Sequence, residues 1–96
     1  GTVANGTAAD GVQVQISYGT GAAPSNAGAA AGTTIGGAQK FVADATNGAN
    51  TKAPFCCHAI ITGLTVGTAY WFDLQGVQLT GGTCTLTDSS ISIFEI

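Results

Sequence analysis

Charge is what this sequence has least of. Asp, Glu, Lys and Arg make up 7% of its 96 residues, against roughly 25% in an ordinary soluble domain. Only Lys40 and Lys52 are basic, the formal net charge is −3 and the pI is near 4.4. Nucleic-acid binding by counterion release needs several cations to neutralise phosphates, so that class of partner is excluded. Long apolar runs are missing too: none approaches the roughly 20 residues of a membrane-spanning helix. The opening "GTVANGTAADG" has neither the basic start nor the apolar block of a cleavable leader, and a start at Gly1 reads as a cut in a longer chain. Helical periodicity is absent as well. The one candidate, "SNAGAAAG" at 25–32, is too short and too rich in Gly to form a helix alone.

What remains is Gly, Ala, Thr and short apolar stretches. Hydrophobic residues are 45% of the chain and Gly occupies 15 positions. The length allows one domain, 1–96, read as a module of a longer chain, and a domain of this size buries only about 60–65% of the surface of its unfolded form. Disordered chains are usually strongly charged, and this one has regular apolar runs instead. With so few charged groups to cover the molecule, part of its apolar surface is expected to lie against a partner chain.

Alternation with a period of two dominates. "VQVQISY" places Val12, Val14, Ile16 and Tyr18 on one face and Gln13, Gln15 and Ser17 on the other, the pattern of a half-buried strand. "AQKFVAD" is a weaker strand, and "AYWFDLQ" alternates Tyr70, Phe72 and Leu74 against Trp71, Asp73 and Gln75. "FCCHAIIT" is apolar on both faces, so a strand covered on both sides is expected. "TCTLTD" and "SISIFEI" follow, joined at Asp88-Ser89, with the last strand seated in the sheet and Ile96 anchored. Asp10-Gly11, Gly36-Gly37, Asn47-Gly48 and Gly81-Gly82 mark reversals, because Gly reaches φ > 0 without steric cost. The expected fold is all-β: an antiparallel, jelly-roll-like β-sandwich of six to eight short strands.

The stretch 19–38, "GTGAAPSNAGAAAGTTIGGA", is long for a loop in a compact domain. It reads either as a surface excursion or as a loop packed against a sister copy, in which case small side chains such as Ala29, Ala30 and Ala31 permit close approach.

Candidates for chemistry are few. Cys57 and His58 are neighbours on a strand, point to opposite faces and cannot form a dyad. Cys56 and His58 share a face, and Cys84 across from them would complete three zinc ligands, but small apolar cysteines and an edge or interface histidine explain the same residues. Cys56 and Cys57 are too close along the backbone to bridge. Cys84 with either is feasible and leaves one thiol free. Asp10, Asp44, Asp73, Asp88 and Glu95 are scattered, with no acid/base couple, and the glycines lack a nucleotide-binding context. No enzyme, metal or cofactor is expected.

Two resemblances add to this. "GLTVGTAY" at 63–70 looks like the link between strands E and F of fibronectin type III and related sandwiches, which implies a core-plugging Leu64, a turn at Gly67 and a Tyr70 whose OH caps an upstream backbone group. Trp71 would then face solvent or another subunit. Three stretches, "ADGVQVQISYGTGAAPSNAGAAAGT", "KAPFCCHAIITGLTVGTAYWFDLQ" and "GGTCTLTDSSISIFEI", resemble β-sandwich modules of tailed-bacteriophage structural proteins of the fibre, spike and capsid-decoration type. That resemblance implies a virion component, a homo-oligomer and in particular a homotrimer, in contact with other virion proteins.

For such a module Ala29, Ala30, Ala31, His58 and Trp71 are the candidate interface. The alternative is a carbohydrate- or receptor-binding module for a host surface, with Trp71, Asp73, Gln75, Asn47 and Asn50 as candidate ligand contacts. A fibronectin-like adhesion module is the third reading.

Overall fold

The structure is a computed structural model and describes residues 1–7, 10–42 and 51–96. Its strands are β1 (Thr2–Asn5), β2 (Gly11–Thr20), β3 (Thr33–Val42), β4 (Ala53–Pro54), β5 (Tyr70–Gln78) and β6 (Cys84–Thr87), and the described residues contain no helix. They form two antiparallel three-stranded sheets, ordered β4-β1-β6 and β3-β2-β5, packed face to face. The chain is a small β-sandwich. Asn47 and Asn50, with the turn Asn47-Gly48, lie outside the described residues.

β2 is the centre of the longer sheet, and its alternation does what the sequence implies. Val12 and Val14 are fully buried and meet Val3 of β1 from the other sheet, with Phe41, Ala53, Phe55, Cys57, Leu74, Cys84 and Leu86 packed around them. Burying each valine contributes about 1.5–3 kcal/mol. On β5, Gly76 is opposite Val14, and an added Cβ there would sit 2.8 Å from the Cys84 sulfur. The close approach of β6 therefore depends on that glycine.

Asn5 closes one end. It is fully buried; its amide donates to the carbonyls of Gly11 at 3.1 Å and Gly81 at 2.9 Å, and its Oδ1 accepts from the Thr7 N–H at 2.9 Å. One side chain thus ties the end of β1 to the start of β2 and to the β5–β6 turn.

The two sheets differ greatly in length. β2 and β3 have 10 residues each, about 34 Å at about 3.4 Å per residue. β1 and β6 have four, about 14 Å. Half of the longer sheet therefore overhangs the shorter one, in a molecule measuring 50 × 23 × 20 Å. On its inner face Ile16, Tyr18, Tyr70 and Phe72 are only half-buried. Tyr18 stacks with Phe72 at a ring separation of 6.3 Å and tilts against Tyr70 at 6.2 Å.

Four expectations need correction. The 55–62 stretch is extended but is not a paired strand, and it is covered on one side only: Phe55, Cys57, Ala59 and Ile61 are half-buried, whereas Cys56, His58 and Ile60 are exposed. β1 accompanies it only as far as Gly1, where the Phe55 N–H donates to the Gly1 carbonyl. For the same reason "SISIFEI" is no strand of this sheet, and Ile96 is fully exposed instead of anchored. Leu64 is 38% exposed, since the shorter sheet ends before it could cover that end of the molecule. Gly36-Gly37 does not reverse the chain but forms a bulge inside β3, where the pairing with β2 slips between Val14 and Ile16. Gly36 has φ +69°, and an added Cβ would lie 2.4 Å from the His58 carbonyl, so the bulge lets the 55–61 segment cross β3.

Candidate functional site

The residues singled out by the sequence fall on different surfaces. Trp71, Asp73 and Gln75 share the outer face of β5, opposite Tyr70, Phe72 and Leu74, as alternation requires. They do not form an open platform. The indole packs on Gly19 and Gly32, where added Cβ atoms would stand 2.5 and 2.4 Å from its ring. Its N–H donates to the Thr20 carbonyl at 3.2 Å, and the Gln75 amide donates to the Ala31 carbonyl. Both side chains pin the 21–32 loop to the sheet.

That loop is shorter than the 19–38 stretch implied, because its two ends extend β2 and β3. Ala29, Ala30 and Ala31 are exposed on it. The signal for the clamp was present in the sequence as Gly19 and Gly32, whose lack of a side chain leaves room for the indole.

Between Trp71 and Gln75, Asp73 is half-buried and in register with Ser17 of β2, itself level with Thr34 of β3. Ser17 is fully buried, and its hydroxyl has no hydrogen-bond partner among the described residues.

The tyrosine corner is formed. The Thr65 N–H donates to the Tyr70 hydroxyl at 3.0 Å, and Gly63 and Gly67 take φ of +77° and +82°.

All three cysteines are free. Cys56 is exposed on the same side as His58 and Ile60, whereas Cys57 points inward, with its sulfur 3.7 Å from the Val14 carbonyl. Cys84 sits across the core. Burial raises the pKa of Cys84, and burial together with the neighbouring Cys56 raises that of Cys57, so both favour the neutral thiol over the nucleophilic thiolate. Among the described residues no three His, Cys, Asp or Glu side chains cluster closely enough to hold a metal ion, and no helix is long and apolar enough to cross a membrane.

The conspicuous surface is apolar. Ile60 is 86% exposed, Val66 98%, Phe94 86% and Ile96 fully. Among the described residues the buried hydrophobic core, by contrast, comprises Val3, Ala4, Val12 and Val14. Val42, Ile91 and Ile93 add to the exposed set. No protein-family model, curated protein or solved structure matches the chain.

Proposed function

We propose that this chain is a non-enzymatic structural module that works as an assembly of copies of itself. The observation that carries the reading is the imbalance, among the described residues, between a small buried core of Val3, Ala4, Val12 and Val14 and a set of large aliphatic and aromatic side chains left in water. Large apolar side chains left in water in this number favour burial against a partner, and a chain with 7% charged residues has little repulsion to keep copies apart. The pinning of the 21–32 loop and the raised thiol pKa values fit a scaffold better than a reactive or ligand-binding surface.

The setting we propose is the particle of a tailed bacteriophage, as a fibre, spike or decoration component arranged as a homotrimer against other virion proteins. It rests on the sequence resemblance of the three stretches quoted above.

Light scattering at low micromolar concentration tests the assembly, with a defined oligomer expected and a monomer of 9.4 kDa counting against it. Antibodies to the module should label intact particles of a phage that encodes it, and unlabelled particles would remove the virion setting.

A further inference from the structure

We propose that the outer edge of β5 is a docking surface for the same edge of a second copy, the two strands pairing antiparallel about a two-fold axis at Leu74. The inference rests on the reading that copies associate and specifies one contact by which they do. Edge and occupant are the same nine residues, well inside the chain.

β5 is the last strand of its sheet and pairs with β2 alone. One bond decides which of its backbone groups face outward. The Leu79 N–H donates to the Gly11 carbonyl, so these two residues form a hydrogen-bonded pair, and in an antiparallel ladder such pairs recur at every second residue. Trp71, Asp73, Gln75 and Val77 therefore turn their N–H and C=O groups toward β2. Those of Tyr70, Phe72, Leu74, Gly76 and Gln78 point away from it. Among the described residues no backbone group bonds to these five from the open side.

That side is accessible. A cleft of about 250 Å³ touches Phe72 and Leu74, whose side chains point inward, and Asp73, whose side chain points outward, so it straddles the edge. Asn26 borders it on the outer side, and Ser89, Ser90 and Ile91 on the side of the shorter sheet. Trp71, the bulkiest side chain of the strand, leans the other way, over Gly19 of β2.

The two edges of the longer sheet are guarded very differently. β3 carries Lys40, is broken by the bulge at Gly36 and is crossed there by 55–61. A lysine, a bulge and a covering segment are devices that oppose edge-to-edge pairing. β5 has none of them. It contains no Lys, Arg or Pro, and its register against β2 runs unbroken from Tyr70 to Gln78. An unbroken edge of nine residues is a template for another strand.

The charge pattern selects the partner and the register. Asp73 is the only charge on β5, and like charges directly opposite one another destabilise a strand pair. Full overlap of two copies sets Leu74 against Leu74, Phe72 against Gly76 and Tyr70 against Gln78, each a hydrogen-bonded pair that engages the outward groups. Asp73 then faces the amide of Gln75. Moving the axis by one residue, onto Asp73, would bring the two carboxylates face to face. Opposite Phe72, where Asn26 and Ser89 border the cleft, the incoming strand presents Gly76, which has no side chain to meet the walls. Such a contact is isologous and joins copies in pairs, so a trimer needs a further contact besides it.

Hydrogen exchange of the unaltered chain, resolved to single amides, reads the pairing directly. In the assembled protein the amides of Phe72, Leu74 and Gly76 should exchange at least about tenfold more slowly than in a dilute, dissociated sample, while those of Trp71, Asp73, Gln75 and Val77, already bonded to β2, change little. Analytical ultracentrifugation of two variants supplies the second arm. Gln75→Lys should tighten association and Gln75→Glu weaken it, each by about 2- to 30-fold, because two such pairs change in every dimer. Both replace the amide that holds Ala31, so shifts of opposite sign report the facing carboxylate and not the loop. An oligomer whose amides at 72, 74 and 76 still exchange freely, or one indifferent to both substitutions, would overturn the edge pairing while leaving self-association standing. Protection that appears only when a different protein is added would overturn the second copy as occupant. A monomeric unaltered chain would remove both readings.

Discussion

Asn5 and Ser17 show how differently two buried polar side chains act on stability. Asn5 has its amide and carbonyl engaged, so Asn5→Ala leaves the Gly11 and Gly81 carbonyls and the Thr7 N–H without that partner. The Gly11 carbonyl still accepts from the Leu79 N–H and the bonds to Gly81 and from Thr7 are only part-buried, so a loss of about 1–3 kcal/mol is expected by denaturant unfolding. The Ser17 hydroxyl is buried and has no partner among the described residues, so it has no such bond to lose there. Ser17→Ala should leave stability unchanged or raise it by about 1 kcal/mol, seen as a higher melting temperature.

The thiols give a pH dependence at the same scale. The pKa values of Cys57 and Cys84 are raised above the ordinary thiol value of 9.0 in the folded chain. The unfolded thiols therefore lose protons first. The contribution to stability is fully present below pH 9.0 and is lost as pH rises through the higher folded values. Unfolding curves recorded from neutral to alkaline pH should show this decline, and it should weaken in a Cys57→Ala/Cys84→Ala double variant. A thiol reagent at neutral pH should modify exposed Cys56 well before the other two.

Among the elements, the 21–32 loop depends most on a single side chain. Trp71→Ala removes the indole that rests on Gly19 and Gly32 and its bond to Thr20. For a half-buried tryptophan the loss is about 1–2 kcal/mol, below the about 3–5 kcal/mol of a fully buried one. The larger effect is local: a protease that cuts after small residues should nick the loop at least about tenfold faster, because local opening governs cleavage.

The same segment shows what alternation can and cannot say. β2, β5 and β6 were legible as apolar–polar alternation, because one face of each meets the core. Of β3 only the part from Ala38 on was, its first half lying in the Gly-rich stretch and being largely exposed. The tyrosine corner was legible because Tyr70 and Gly67 carry its geometry locally. β1 and β4 were not, since "TVAN" and "AP" are too short for a period to show and are strands only through pairing with distant residues. The 55–62 and 90–96 stretches failed for the opposite reason. Their side-chain pattern is that of strands, but a strand also needs a backbone neighbour, and beyond the one bond between Phe55 and Gly1 none of the described residues pairs with either.

For the whole molecule, the proportions of the sandwich matter more than any one contact. Among the described residues the buried core is Val3, Ala4, Val12 and Val14, which is small, and net stability is always a slender remainder of large opposing terms. Stability should therefore depend on protein concentration: diluting the oligomer from tens of micromolar to nanomolar should lower its melting temperature by several degrees, since whatever binds only the folded form stabilises it by mass action. A melting temperature independent of concentration would mean that the protomer stands alone.

The chain's single tryptophan lies under the 21–32 loop, on the outer face of the longer sheet. It is thus a built-in optical reporter of that loop: its emission will redden when the loop lifts, so loop release can be followed in an unlabelled sample.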